Sequence, residues 1–362
     1  TNGIIINVDP EEELDVINAL SRELGMVARI NLRLAGFPLT HITSPAITTS
    51  SEWSKFGIPI QRAHAVFQKV LSLEHLRPNG LMVHLGTQIT DISAYHLVLD
   101  ALLNLSEDAR TVGFDVTEIN LGGGCGISYL GREEWSAIKR KIARNAQFTW
   151  ADELVGYNCN KEWICEELYC AFTPDTFIQN LFNEPYAADR TFKERLEAQG
   201  CPKMVIEPGR SIVGNAGLTL VRVCHVGRTP KGQNIVHVNA GVNHHSLNIV
   251  LPEQLHRMEI ANNVDAEDTF ETFIAGNLCY TGDLLCRIQN TLNGRPERGD
   301  YIILYDTGAY SDFFVSNTNS FPRPAKVMVT RDGQDRLVVT REDLQGVFHR
   351  DVDWKKAPLT ES

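Results

Sequence analysis

From Gly3 to Ser211 the chain alternates between short, continuous apolar runs and longer stretches in which apolar residues recur every three or four positions. The opening run, Gly3-Ile4-Ile5-Ile6-Asn7-Val8-Asp9, reads as a fully buried strand. Asp9-Pro10 then reads as a helix N-cap and first position, with Glu11 to Glu13 at the positive end of the helix dipole. Leu14, Ile17, Leu20 and Leu24 supply that helix's apolar stripe. Val27 to Leu32 is a second strand, and a helix from Ile58 to Leu76 leads to a third at Leu81 to Gly86. A helix from Ala94 to Ala109 precedes Val116 to Leu121, and a last strand ends at Glu207. Strand alternating with helix predicts a parallel sheet. About five β/α units are legible where a closed barrel has eight, so the expected fold is a TIM-type (β/α)8 barrel that is incomplete in this chain.

Beyond Ser211 the pattern changes to period two. Leu218 to His225, Asn234 to Ala240, Thr272 to Ala275, Tyr301 to Tyr305 and Lys326 to Thr330 are β-rich runs with turn residues between them. Asp332-Gly333 before Arg336 to Thr340 signals a hairpin. The expected organisation is therefore an α/β barrel over 1–211 and an antiparallel β domain over 212–362. The stretch 147–200, with Trp150, Trp163 and Tyr169 but no clean periodicity, reads as an insertion at the barrel mouth. No repeat or low-complexity segment is visible.

Composition narrows the function classes. The 34 basic and 45 acidic residues give a net charge of −11, which argues against nucleic acid or an anionic membrane surface as partner. No apolar run has the length of a membrane span, and no signal peptide is apparent. Eight scattered cysteines fit reduced cytoplasmic thiols rather than a disulfide framework. The spacing of Cys159, Cys165 and Cys170 does not match a zinc knuckle, and no metal is expected.

Two segments carry the chemistry. Ile119-Asn120-Leu121-Gly122-Gly123-Gly124-Cys125-Gly126 and Ile206-Glu207-Pro208-Gly209-Arg210-Ser211 each place a glycine-containing turn directly after a strand. Glycine gives the backbone the dihedrals and close approach that an anion-binding nest requires. The second segment adds a guanidinium suited to a phosphate and a carboxylate suited to a protonated ring nitrogen. Enzymes of this architecture build their sites at the C-terminal ends of the strands.

With these residues in hand, the chain resembles the fold-type III pyridoxal-phosphate-dependent amino-acid decarboxylases, the diaminopimelate and ornithine decarboxylase group. The resemblance rests on seven ordered motifs. Val27-Ala28-Arg29-Ile30-Asn31 is similar to the family's Arg-Ile-Asn strand, Ser54-Lys55-Phe56-Gly57-Ile58 to its Ser-Lys-Phe-Gly loop, and His84-Leu85-Gly86-Thr87-Gln88 to its His-x-Gly-Ser-Gln motif. Gly122-Gly123-Gly124 and Glu207-Pro208-Gly209-Arg210 are similar to its phosphate turns. Leu278 to Asp283 resembles the Cys-containing interface loop, and Gly299-Asp300-Tyr301 with Gly308-Ala309-Tyr310 the last signatures.

The resemblance implies decarboxylation through a Schiff base and a quinonoid intermediate on pyridoxal 5'-phosphate, in a homodimer with shared sites. Glu207 would keep the pyridine nitrogen protonated, so that the ring accepts the electrons left by CO2. His84 would stack on the ring. Arg29, Thr87, Gly122, Gly123, Gly124, Gly209, Arg210 and Tyr310 would complete the cofactor site, and Cys279 would donate a proton across the dimer. Tyr280, Asp283, Ser246 and Asn319 would meet the amino-acid substrate. His244 and His245, where the family has no motif histidine, read equally as structural or substrate residues.

Three departures bear on the substrate. Diaminopimelate decarboxylases have an Arg and a Tyr where Ser246 and Val250 stand here, an acidic residue where Tyr280 stands, and an Arg where Phe321 stands. Without those charges a distal zwitterion would be left unpaired. The expectation is therefore an amino acid other than diaminopimelate. A racemase on the same cofactor, or an inactive homologue acting as a regulator, are the competing readings. None of Lys55, Lys69, Lys203 and Lys326 has the sequence setting of the family's Schiff-base lysine. That lysine is expected on barrel strands upstream of Thr1.

Overall fold

A computed structural model describes residues 3–38, 48–144, 168–186, 190–245, 255–263, 266–279, 281–285, 289–312 and 315–352. These divide into two compact units, with the boundary between Gly217 and Leu218.

The first unit runs β1 (Ile5–Val8), α1 (Glu13–Glu23), β2 (Ala28–Ala35), β3 (Ile58–Pro59), α2 (Ala63–Leu71), β4 (Leu76–Met82), α3 (Ile92–Thr111), β5 (Glu118–Asn120), α4 (Arg132–Arg144), α5 (Pro174–Asn183), α6 (Phe192–Ala198), β6 (Lys203–Val205) and α7 (Arg210–Val213). The strands pair in the order β1-β2-β4-β5-β6, with the two-residue β3 beside β2, and every pairing is parallel. This is the expected α/β arrangement. Parallel strands covered by helices bury apolar side chains, and Ile30, Leu32, Leu81 and Ile119 are fully buried against Val66, Phe67, Val98, Leu102 and Phe114. The Phe67 and Phe114 rings lie 4.7 Å apart. Each such side chain contributes about 1.5–3 kcal/mol on leaving water. Phe177 and Leu181 of α5 and Phe192 and Leu196 of α6 join the same core. Trp150 and Trp163 lie outside the described residues.

Two elements differ from expectation. Helix α1 begins at Glu13 rather than at the Asp9-Pro10 pair. The Asp9 carboxylate instead accepts the Gly57 amide at 3.0 Å and pairs with Arg33 at 3.1 Å, ties that no local pattern announces. The helix expected to reach Leu76 ends at Leu71, and β4 starts at Leu76 and continues through Pro78-Asn79-Gly80, with a register shift against β2 at Asn79. Pro-Asn-Gly is a turn signal in isolation. Here Asn79 Nδ2 donates to Asn31 Oδ1 at 2.7 Å inside the sheet. Gly80 lets β5 approach so closely that a Cβ would lie 2.1 Å from the Glu118 carbonyl oxygen. Tertiary contacts override the local signal.

The second unit contains β7 (Thr219–Arg228), β8 (Asn234–Val238), β9 (Met258–Ile260), β10 (Phe270–Ala275), β11 (Asn290–Leu292), β12 (Tyr301–Leu304), the pair β13 (Lys326–Val329) and β14 (Asp335–Val339), and the short α8 (Leu344–Val347). Six strands form one sheet in the order β11-β10-β8-β7-β12-β9. It is mixed rather than wholly antiparallel, because β10 returns beside β8 in parallel register. Val221, Val223, Val236, Ile274, Ile302 and Leu304 form its core. The expected hairpin joins β13 and β14, with Gly333 at φ +79°.

Candidate active site

Strands β5 and β6 are only three residues long, and both end in the turns singled out above. The two turns are stitched together. The Glu207 amide donates to the Gly122 carbonyl at 2.7 Å, and Asn120 Nδ2 donates to Glu207 Oε1 at 2.8 Å. Asn120 Oδ1 in turn accepts the Gly122 amide at 2.8 Å. Asn7 Nδ2, from β1, approaches the same Glu207 oxygen at 3.4 Å. No described side chain bonds Glu207 Oε2, and the residue is exposed, so the carboxylate keeps an open side.

The glycines are needed for close approach. A Cβ on Gly122 would meet the Val83 carbonyl at 2.6 Å, one on Gly123 the Glu207 carbonyl at 2.5 Å, and one on Gly124 the Gly86 carbonyl at 2.5 Å. Gly122 and Gly124 also adopt positive φ, +66° and +95°.

His84 stands beside the first turn, where its Nδ1 accepts the Gly123 amide at 3.0 Å. That bond places the proton of a neutral ring on Nε2. Burial pushes the His84 pKa below its ordinary value, the Arg33 charge pushes the same way, and Glu207 opposes both. Arg210 is buried, donating to the Thr87 hydroxyl at 2.8 Å and to the Tyr129 hydroxyl at 2.5 Å. His84, Gly122, Gly123 and Glu207 are thus linked through Asn120 and the first turn, which Gly124 continues, while Arg210 and Thr87 form a separate bonded pair, with Gly209 in the second turn. Beside them a cavity of about 210 Å³ is lined by Tyr95, Gly122, Gly123, Cys125, Phe177 and Ile206, among others. Burial pushes the Cys125 thiol up to about 12, which leaves it protonated and inert at neutral pH.

Arg29 is not brought to the glycine turns. It lies at the start of β2 and donates to Asn79 Oδ1. It reaches the cluster only through a chain of side chains, Asn79 to Asn31 and Asn31 to Asn7.

The remaining candidates lie in the second unit. Cys279 is exposed, and Asn319, in the left-handed region at φ +55°, donates from Nδ2 to its Sγ at 2.9 Å. Tyr310 also has positive φ, +62°. Asp283 differs from expectation. It is buried, and its oxygens accept the Val242 and Leu278 amides at 2.7 and 2.6 Å, so its charge fastens two loops instead of facing a substrate. His244 Nε2 contacts the Pro322 carbonyl at 3.1 Å, and the buried His245 packs against His256 with ring centres 4.7 Å apart. Both rings are held by contacts within the second unit. Ser246 and Tyr280 lie outside the described residues.

Asn7, Asn120 and Tyr129 were not singled out from the sequence. Only Asn120 carries a local signal, an Asn two residues before a glycine whose amide its side chain can accept. The donor set and the glycine cradle fit pyridoxal phosphate: a buried guanidinium and a hydroxyl for the phosphate, a half-open carboxylate for the ring nitrogen, and a neutral imidazole beside them.

The profile of the pyridoxal-binding domain of the pyridoxal-dependent decarboxylases matches residues 2–154. Diaminopimelate decarboxylase of Archaeoglobus fulgidus is 30% identical over 338 residues, covering 92% of this chain and 68% of the relative. The Aquifex aeolicus enzyme of the same name is 28% identical over 354 residues, covering 97% and 70%. The crystal structure of the Methanocaldococcus jannaschii diaminopimelate decarboxylase in complex with L-lysine superposes with a TM-score of 0.73 at 25% identity, covering 96% of this chain and 69% of that one. These relatives overturn the expectation that diaminopimelate is the disfavoured substrate. That expectation compared single loop positions. Ser246, Val250 and Tyr280 lie outside the described residues, and Phe321 packs edge-on against His244.

Proposed function

Because the chain belongs to the fold-type III pyridoxal-phosphate-dependent decarboxylases, we propose that it removes one carboxyl group of diaminopimelate as CO2, leaving lysine. The cofactor is pyridoxal 5'-phosphate. Similarity to diaminopimelate decarboxylases along 92% of the chain supports the substrate, and the Glu207–Asn120–Gly122 junction supports the chemistry.

When bound, the cofactor supplies an electron-accepting ring for the pair released as CO2 leaves. Glu207 holds the proton on the ring nitrogen through its open oxygen. Arg210 and Thr87, already paired, would hold the phosphate together with Gly209 and Gly124. The Gly122 and Gly123 amides are committed to Asn120 and His84, so they shape the cradle. His84, whose pKa burial lowers, would lie against the ring face without competing for the phosphate. Cys279 would return a proton to the carbon that loses CO2, with Asn319, bonded to its sulfur, orienting it. Release of CO2 from a panel of meso-diaminopimelate, ornithine, arginine and lysine tests the reading. Turnover of diaminopimelate at least about tenfold above the others in kcat/KM is expected; turnover of ornithine or arginine in its place overturns it.

The working form is proposed to be a cytoplasmic homodimer. The free thiols of Cys125, Cys170, Cys201, Cys224 and Cys279 suit a reducing compartment. No helix among the described residues is long and apolar enough to cross a membrane. If Cys279 completes the site of a second copy, two inactive variants complement each other. Co-expressed Glu207→Gln and Cys279→Ala chains form mixed dimers in which one composite site has both intact groups. Random assembly then restores about a quarter of wild-type activity. Mixed dimers that form and stay inactive exclude sharing.

A further inference from the structure

We infer that Asn120 is a positioning residue for the cofactor, setting the Glu207 carboxylate and the glycine turn with a single side chain. The inference rests on the proposed role of Glu207. Asn120 is the last residue of β5 and is buried. Its amide is used at both ends. Nδ2 donates to Glu207 Oε1 at 2.8 Å, and Oδ1 accepts the Gly122 amide at 2.8 Å. Donation to Oε1 fixes that oxygen, which would leave the open Oε2 to meet a ring nitrogen. Acceptance from Gly122 holds the turn at the positive φ that brings Gly123 under the Glu207 carbonyl. The group that would keep the ring protonated and the backbone that shapes the phosphate cradle therefore share one rigid reference.

A second tie enters from β1, where Asn7 approaches Oε1 at 3.4 Å and accepts from Asn31 at 3.0 Å. It is longer and comes from a strand two positions away in the sheet order from β4, so it supports Oε1 without touching the turn. Asn120 alone among the described side chains bonds both the carboxylate and the turn.

The two arms can be separated by substitution. Asn120→Asp keeps an oxygen for the Gly122 amide and so keeps the turn. It replaces the donor facing Glu207 with a carboxylate, and two carboxylates at hydrogen-bond distance disfavour each other's charge. The expected result is a rise of about tenfold in the pyridoxal phosphate dissociation constant and a changed absorption band of the bound cofactor, with kcat down by about tenfold and KM within about twofold. A residue that only stabilised the turn would leave all of these unmoved in Asn120→Asp. In a Glu207→Gln background the same substitution is expected to add less than about twofold, because the glutamine amide can donate to the new carboxylate. The measurements are fluorescence titration of the protein with pyridoxal phosphate, absorbance spectra, and kinetics of the four variants of the cycle. Wild-type affinity and spectrum in Asn120→Asp, alongside altered values in Glu207→Gln, overturn this inference and spare the Glu207 role. Fully additive effects in the double variant also overturn it. Unchanged affinity, spectrum and turnover in Glu207→Gln overturn the Glu207 role itself, and this inference with it.

Discussion

Replacing Glu207 with Gln is expected to lower kcat by about 10²- to 10³-fold while KM stays within about threefold. The substitution is nearly isosteric, and a glutamine oxygen can still accept from Asn120 Nδ2, so the junction of the two turns keeps its shape. What changes is the charge that faces the ring nitrogen. A carboxylate stabilises a protonated ring, whereas an amide does not, and an unprotonated ring is a poor acceptor for the electron pair left by CO2. The loss therefore falls on the chemical step and not on substrate capture. Steady-state kinetics on diaminopimelate with saturating cofactor provide the check, and wild-type turnover would assign the ring nitrogen a different partner.

A methyl group on Gly123 is expected to be nearly as damaging by a different route. The added Cβ would stand 2.5 Å from the Glu207 carbonyl oxygen, a backbone atom that cannot rotate away, and 3.5 Å from His84 Cε1. One of the two strand ends must move, and overpacking of this kind costs about 1–3 kcal/mol. Displacement of the Glu207 carbonyl also breaks the register that presents Arg210 and Glu207 together. Gly123→Ala is thus expected to weaken pyridoxal phosphate binding by at least about tenfold and to lower the melting temperature of the cofactor-free protein. Gly131→Ala is the control, since a Cβ there meets nothing within 4 Å. Equal behaviour of the two variants would remove the steric account of the cradle.

Much of this was legible in the sequence because it is written in local periods. Apolar runs such as Ile4 to Val8, which forms the expected strand although Ile4 and Ile6 are exposed rather than buried, and glycines placed directly after strands announce a parallel sheet and its C-terminal turns without knowledge of distant residues. The motif order then identifies the family. What could not be read depends on contacts across the sheet. Pro78-Asn79-Gly80 looks like a turn until Asn31 and the Glu118 carbonyl are placed opposite it. Asp9 looks like a helix cap until Arg33 and Gly57 claim its carboxylate. Asp283 looks like a substrate residue because of its motif, yet two backbone amides absorb its charge. Arg29 carries a motif on a strand but stands at the end away from the turns. The substrate expectation compared single loop positions, and similarity to diaminopimelate decarboxylases along 92% of the chain overturns it.

The internal bonding of the two turns has a thermodynamic consequence for assembly of the holoprotein. The amides of Gly122, Gly123 and Glu207 each have an acceptor within the protein, and the Thr87 hydroxyl already accepts from Arg210. The cradle therefore holds its form without a ligand, and an incoming cofactor does not have to freeze a loop as it docks. Little backbone entropy is forfeited on binding, so association carries mainly the translational and rotational loss of the cofactor itself. The same three amides, protected by their partners, will exchange hydrogen with solvent slowly in the cofactor-free state, which marks the site as a rigid receptor built during folding.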